Sequence, residues 1–179
     1  MTKQEFINNI YIAYAYASKN GSLLPVFPSI AIAQAALESG WGKSVLASQY
    51  NNYYGIVANS SWTGKKIKLP GNSLTFRAYD NLQQSVEDYR QFLAENSRYK
   101  NSGVLDAKNY KEQAKALQNA GYAGKNATKY ADTLISIIDS NNLYKFDNQE
   151  PVKTNENAGK SIILFAGIGI FLIFILIKN

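Results

Sequence analysis

A single carboxylate, Glu38, closes a stretch from Ile30 to Leu37 that is apolar at every position except Gln34. An anion at the end of such a segment needs an explanation. Burial raises a carboxyl pKa, and the negative end of a helix dipole raises it further, so Glu38 is set to keep a proton near neutrality and then give it up. That is the chemistry of an acid that protonates a leaving oxygen. Position alone leaves a second reading open, in which Glu38 merely emerges into solvent beyond a helix end. The chain has no histidine and no cysteine, which excludes disulfides, thiol nucleophiles, imidazole bases, Ser-His triads and the usual zinc sites. Carboxylates, tyrosine, lysine and serine remain, and no cofactor is expected. The formal charge of +6 favours an anionic partner. Nucleic acid is not an expected partner, because the basic residues are scattered and no recognition motif is present.

The residues around Glu38 carry a resemblance. Ala33-Gln34-Ala35-Ala36-Leu37-Glu38-Ser39-Gly40-Trp41-Gly42-Lys43-Ser44 resembles the signature of glycoside hydrolase family 73, the flagellar-type and autolysin-type β-N-acetylglucosaminidases. Further segments follow in the family's order: Asn51-Asn52-Tyr53-Tyr54-Gly55-Ile56, Phe76-Arg77-Ala78-Tyr79 leading into Ser85-Val86-Glu87-Asp88-Tyr89, and Gly121-Tyr122-Ala123 before Lys129-Tyr130-Ala131. The resemblance runs from about Ile7 to Tyr144. It implies a lysozyme-like helical lobe with a small antiparallel β lobe, the glycan strand of peptidoglycan as substrate, and Glu38 as general acid. Many members carry a second acid in the β lobe, but here no Asp or Glu lies between Glu38 and Asp80. Either Asp80 reaches the site, or the substrate's own 2-acetamido group assists while Tyr122 orients it. Asp80 also reads as a turn residue capping the helix that follows. Val57 replaces a frequent Lys, and Gly124 to Thr128 are additional to the family pattern.

Flat aromatic faces pack on pyranose rings, so Tyr50, Tyr53, Tyr54, Trp41, Trp62, Tyr79 and Tyr122 are candidates for a sugar cleft. Tyr54 and Tyr122 are the better ones, while Trp41, Tyr79 and Tyr89 read better as core. Gln34 and Ser39, flanking the acid in the motif, complete the expected substrate contacts. Two rival functions remain: a lytic transglycosylase, which needs only one Glu, and a non-catalytic wall-binding membrane protein.

These residues need a scaffold, and hydrophobic periodicity outlines an α+β, mainly α, fold. Helices are expected over Gln4 to Ala17, over Ile30 to Leu37 with Ser29 as N-cap, near Ser44 to Ser48, and over Leu82 to Glu95, Tyr110 to Asn119 and Thr128 to Ser140. Ile56-Val57, Lys66 to Leu69 and Leu74 to Tyr79 read as short strands. The expected domains are 1–146, a polar linker over 147–159 and an anchor over 160–178. Ser161 to Ile177 carries no charge and is bracketed by Lys160 and Lys178, so it is expected to form one transmembrane helix through a lipid bilayer. Its seventeen residues would extend roughly 26 Å. The first residues lack the basic start and apolar stretch of a secretory signal. The expected location is therefore the internal membrane of a phage virion, with other virion membrane or capsid proteins as partners, or else a bacterial envelope.

Overall fold

A computed structural model describes residues 1–20, 25–124, 126–148, 161–163 and 174–176. The first compact unit, Met1–Asp147, holds seven α-helices and a two-stranded sheet among its described residues. Helix α1 (Lys3–Asn20) buries Phe6, Ile7, Ile10, Tyr11, Tyr14 and Ala17, the stripe its spacing predicts. It packs on α2 (Pro28–Ser39) and α4 (Leu82–Glu95). Helix α2 is central, touching α1, α6 (Tyr110–Asn119), α7 (Tyr130–Ser140) and a 3-10 turn at Leu143–Phe146. Its surroundings explain why almost all of its faces are apolar. Two short helices complete the lobe, α3 (Val45–Tyr50) and α5 (Ser97–Asn101).

Helix α2 starts differently from expectation. Phe27 occupies the N-cap position and Pro28 the first turn, where a residue without an N–H loses nothing. Ser29 is one residue inside, and its N–H and Oγ donate to the two carboxylate oxygens of Asp147 at 2.8 and 2.7 Å. Asp147, expected to begin a free linker, is thus tied to the start of the helix that carries Glu38. The other end is bound by a turn in which Gly40, Trp41 and Gly42 all have positive φ (58°, 60° and 78°). A tryptophan seldom adopts that conformation.

In the β lobe, β1 (Lys66–Lys68) pairs antiparallel with β2 (Thr75–Arg77). The third expected strand reduces to one bridge, Val57 to Phe76. Buried Asn52 is the reason: its amide accepts from the Ile56 N–H and donates to the carbonyls of Ile56 and Arg77, taking up the bonding groups a regular strand would use.

In the second unit, β3 (Ser161–Ile163) pairs antiparallel with β4 (Phe174–Leu176). These six residues fall inside the expected membrane helix and are extended instead; the rest of that stretch, and most of the expected linker, lie outside the described residues. Isoleucine and phenylalanine suit a pleated strand as well as an apolar helix, and an all-apolar run has no periodicity to separate the two. Among the described residues no helix is long and apolar enough to cross a membrane.

Candidate active site

Glu38 sits on the last turn of α2, partly buried, beyond a run from Ile30 to Ala36 that is at most 1% exposed. Tyr130, the first residue of α7, donates its hydroxyl to Glu38 Oε1 at 2.9 Å. Burial pushes the carboxyl above its ordinary value, and the tyrosine bond opposes this only in part. The Tyr130 oxygen accepts in turn from Gln34 Nε2 at 2.8 Å, and Gln34 Oε1 accepts from the Tyr89 hydroxyl at 2.5 Å. Gln34 and Glu38 are four residues apart on one helix face, so a single tyrosine spans both.

Aromatic rings surround this line. Tyr122 stacks on Tyr130 (5.8 Å, 18°), Tyr99 lies 5.9 Å from Tyr122, and Phe92 lies 5.6 Å from Tyr99. Tyr54 stacks on Tyr89 at 3.8 Å, and the Tyr122 hydroxyl donates to the Tyr54 carbonyl at 3.2 Å. The turn after Glu38 is held as firmly. Ser39 Oγ bonds the Ala35 carbonyl and accepts from Gly42 N–H at 2.7 Å, while Trp41 N–H returns to the Ala36 carbonyl at 2.9 Å.

A glucosaminidase family model, described as mannosyl-glycoprotein endo-β-N-acetylglucosaminidase, matches residues 14–143, which include Glu38, Gln34, Tyr122 and Tyr130. The chain belongs to the glucosaminidase family. Residues 14–143 are therefore a glycan-cleaving enzyme domain. The chain is 34% identical to the exo-glucosaminidase LytG of Bacillus subtilis, over 76% of this chain and 52% of that one. Among solved structures it is similar to a peptidoglycan hydrolase from Sphingomonas sp. A1 (34% identity, TM-score 0.65, 79% of this chain and 91% of that one). It is also similar to the glycoside hydrolase domain of Salmonella typhimurium FlgJ (29% identity, TM-score 0.63, 81% and 91%). The chain spans about half the length of the curated relatives it matches.

Within this glucosaminidase domain the expected site residues separate into groups. Tyr122 stands with Glu38 in the aromatic shell. Gln34 and Ser39, expected to meet substrate, are fully buried and bond protein groups. Tyr54 is 2% exposed and supports the shell from beneath. Trp41 meets the edge of Phe6 at 5.5 Å under the Lys3 ammonium, and Tyr53 leans on the same Phe6, so both brace the turn against α1. The Tyr50 carbonyl accepts from Tyr79 N–H, joining α3 to the β lobe.

Asp80 is exposed and paired with Lys65, which lowers its pKa. The neighbouring Asn81, rather than Asp80, caps α4 through Gln84 N–H. Trp62 divides two grooves. One of about 420 Å³ is lined by Lys65, Tyr79, Asp80 and Glu87, among others but not Glu38. The other, about 460 Å³, is lined by Asn59, Ser61, Arg77, Asp88, Phe92 and Ser97, among others. Its Phe92 begins the ring series that ends at Tyr130. The floor is rigid: Arg77 Nη1 donates to both Asp88 oxygens at 2.7 and 2.9 Å, Tyr79 donates to Asp88 at 2.6 Å, and the guanidinium lies 4.3 Å from the Trp62 ring. Among the described residues no cluster of three or more carboxylates could hold a metal ion.

The residue that sequence reading passed over is Tyr130. It lies in a segment already noticed, Lys129-Tyr130-Ala131, but its helical periodicity marked it as core. It is both, with its ring buried and its hydroxyl on the acid.

Proposed function

We propose that this chain hydrolyses β-1,4 bonds of the peptidoglycan glycan strand as an endo-β-N-acetylglucosaminidase, with Glu38 as general acid. The observation that carries this reading is the half-buried Glu38, raised in pKa and held by Tyr130 within an aromatic shell that runs to the Trp62 groove. The peptidoglycan hydrolases and glucosaminidase among its relatives support the substrate class.

The reaction we infer is substrate-assisted. Glu38 gives its proton to the glycosidic oxygen as the bond from that oxygen to C1 breaks, and the 2-acetamido oxygen attacks C1 to form a cyclic oxazolinium. The Glu38 carboxylate then takes a proton from water as that water opens the ring at C1, restoring the acid and retaining configuration. Tyr122 orients the acetamido group from its position against Tyr130. Asp80 takes no part in this scheme, because it is exposed, paired with Lys65 and lines a groove that does not include Glu38. The absence of a carboxylate between Glu38 and Asp80 also favours a second reading, a lytic transglycosylase.

Digesting purified peptidoglycan with the full chain and with Glu38→Gln, and reading the fragments by mass spectrometry, separates these. New reducing N-acetylglucosamine ends, reduced about 10²- to 10⁴-fold in the variant, are the expected result. Anhydro-muramyl ends would select the transglycosylase. Products that persist in Glu38→Gln would sink both.

We further propose that the uncharged run Ser161 to Ile177 attaches the enzyme to a lipid bilayer, that of a virion with an internal membrane or of a bacterial envelope. Flotation of the chain with liposomes, lost on deleting 160–179, is the expected outcome; unchanged flotation refutes the attachment. Absence of the protein from purified virions would rule out the virion.

A further inference from the structure

The hydrogen bonds behind Glu38 have a direction, and the direction matters for where the acid carries its proton. A phenol hydroxyl holds its hydrogen and its best lone pair on opposite sides of the oxygen, close to the ring plane. At Tyr130 the lone-pair side is filled by the Gln34 amide N–H, so the hydrogen points to Glu38 Oε1. At its other end the Gln34 amide meets Tyr89, whose hydroxyl donates to the Gln34 carbonyl. The Tyr89 ring is fully buried and stacked face to face on Tyr54.

We infer that Gln34 is a positioning residue of the acid: by occupying the Tyr130 oxygen it makes Tyr130 a donor only, so Glu38 carries its proton on Oε2 and cannot spend it on Tyr130. This rests on the reading of Glu38 as general acid. With Gln34 in place, protonated Glu38 finds no acceptor at Tyr130, and its proton stays available to the glycosidic oxygen. Without the amide, the Tyr130 oxygen becomes a free acceptor facing a protonated carboxyl. A bond from the acid to Tyr130 then forms, and the proton is turned inward. Gln34 therefore acts through Tyr130, with no contact to substrate.

The arrangement predicts a dependence between positions that simple packing does not. In the full-length chain acting on peptidoglycan, Gln34→Met, close in shape but with no donor, lowers kcat about tenfold, the effect of one lost hydrogen bond's worth of alignment. KM stays constant, and the basic limb of the kcat–pH profile moves upward because protonated Glu38 has gained an acceptor. The same Gln34→Met change made in a Tyr130→Phe background, where no phenol oxygen exists to capture the proton, leaves kcat where Tyr130→Phe alone puts it. Tyr89→Phe is the second variant, preserving the ring and its stack on Tyr54 while releasing the amide; a smaller loss of kcat is expected, again absent in the Tyr130→Phe background. Equal losses with and without Tyr130, for either variant that folds, overturn the inference and make Gln34 a packing residue. An enzyme indifferent to Glu38→Gln would instead remove the reading on which the inference rests, so the two failures are distinguishable.

Discussion

At the scale of residues, the acid depends on two opposed influences. Burial disfavours charge on Glu38, while the Tyr130 hydroxyl stabilises it. Because the acid is the active form, activity is present below its pKa and falls as pH rises through it. Tyr130→Phe removes the influence that lowers the pKa, so the falling limb is expected to move to higher pH while the maximal rate drops; a limb that moves to lower pH would contradict this geometry. Asp80 gives the contrasting case. It is exposed, paired with Lys65 and absent from the ring shell, and exposed pairs contribute little. Asp80→Asn is expected to keep activity within about threefold and Tm nearly unchanged. A loss as deep as that of Glu38→Gln would make Asp80 a second catalytic carboxylate and end the substrate-assisted account.

At the scale of elements, the position of Glu38 is set by how α2 begins and ends. Three consecutive left-handed residues turn the chain sharply after Ser39, and the Ser39 hydroxyl closes the turn on Gly42. A Cβ on Gly42 would stand 3.2 Å from the Phe6 ring and 2.8 Å from the end of Met1, in a conformation that already disfavours side chains. Gly42→Ala is expected to destabilise the domain by roughly 1–2 kcal/mol, seen as a lowered Tm. Its kcat should fall as well, because the strain relaxes through the turn that holds the acid; a variant with unchanged Tm would show that the turn is not strained. At the other end of α2, Ser29 is joined to Asp147 across 118 positions of sequence.

At the scale of the whole molecule, that long-range bond makes the end of the first unit part of its stability. Burial pushes the Asp147 carboxyl up to about 6 from 3.8, against the two bonds from Ser29. A raised acid pKa means that the folded chain binds more protons than the unfolded chain between those two values. Its stabilising share is complete below about 3.8 and is lost as pH climbs through about 6. The Tm of the wild type is therefore expected to decline relative to Asp147→Asn across that window, as measured by calorimetry at several pH values; parallel curves would show that Asp147 is charged throughout. The same window should appear in a chain ending after Asp147, which contains the whole of the first unit.

Much of this was legible beforehand because it is written locally. The helical stripes of α1, α4, α6 and α7 appear as periodic apolar positions, the hairpin as strand formers between glycine and proline turns, and Glu38 as a charge closing an apolar run; each depends on neighbours within a few residues. The partners of those residues were not legible, since they come from distant elements. Tyr130 reaches Glu38 from 92 positions away and Tyr89 reaches Gln34 from 55, and side-chain type alone does not say which hydroxyl meets which acceptor. For the same reason Gln34 and Ser39, polar and beside the acid, read as substrate contacts until packing closed over them. Ser161 to Ile177 is a different case, because an apolar run without periodicity carries no local signal between helix and strand; its six described residues, in β3 and β4, are extended where a helix was expected. Sequence determined which residues are chemically capable and which faces are buried. Only tertiary structure decided which hydroxyl bonds the acid and which carboxylate stays with a lysine, because hydrogen-bond direction and burial depend on three-dimensional neighbours that no local pattern encodes.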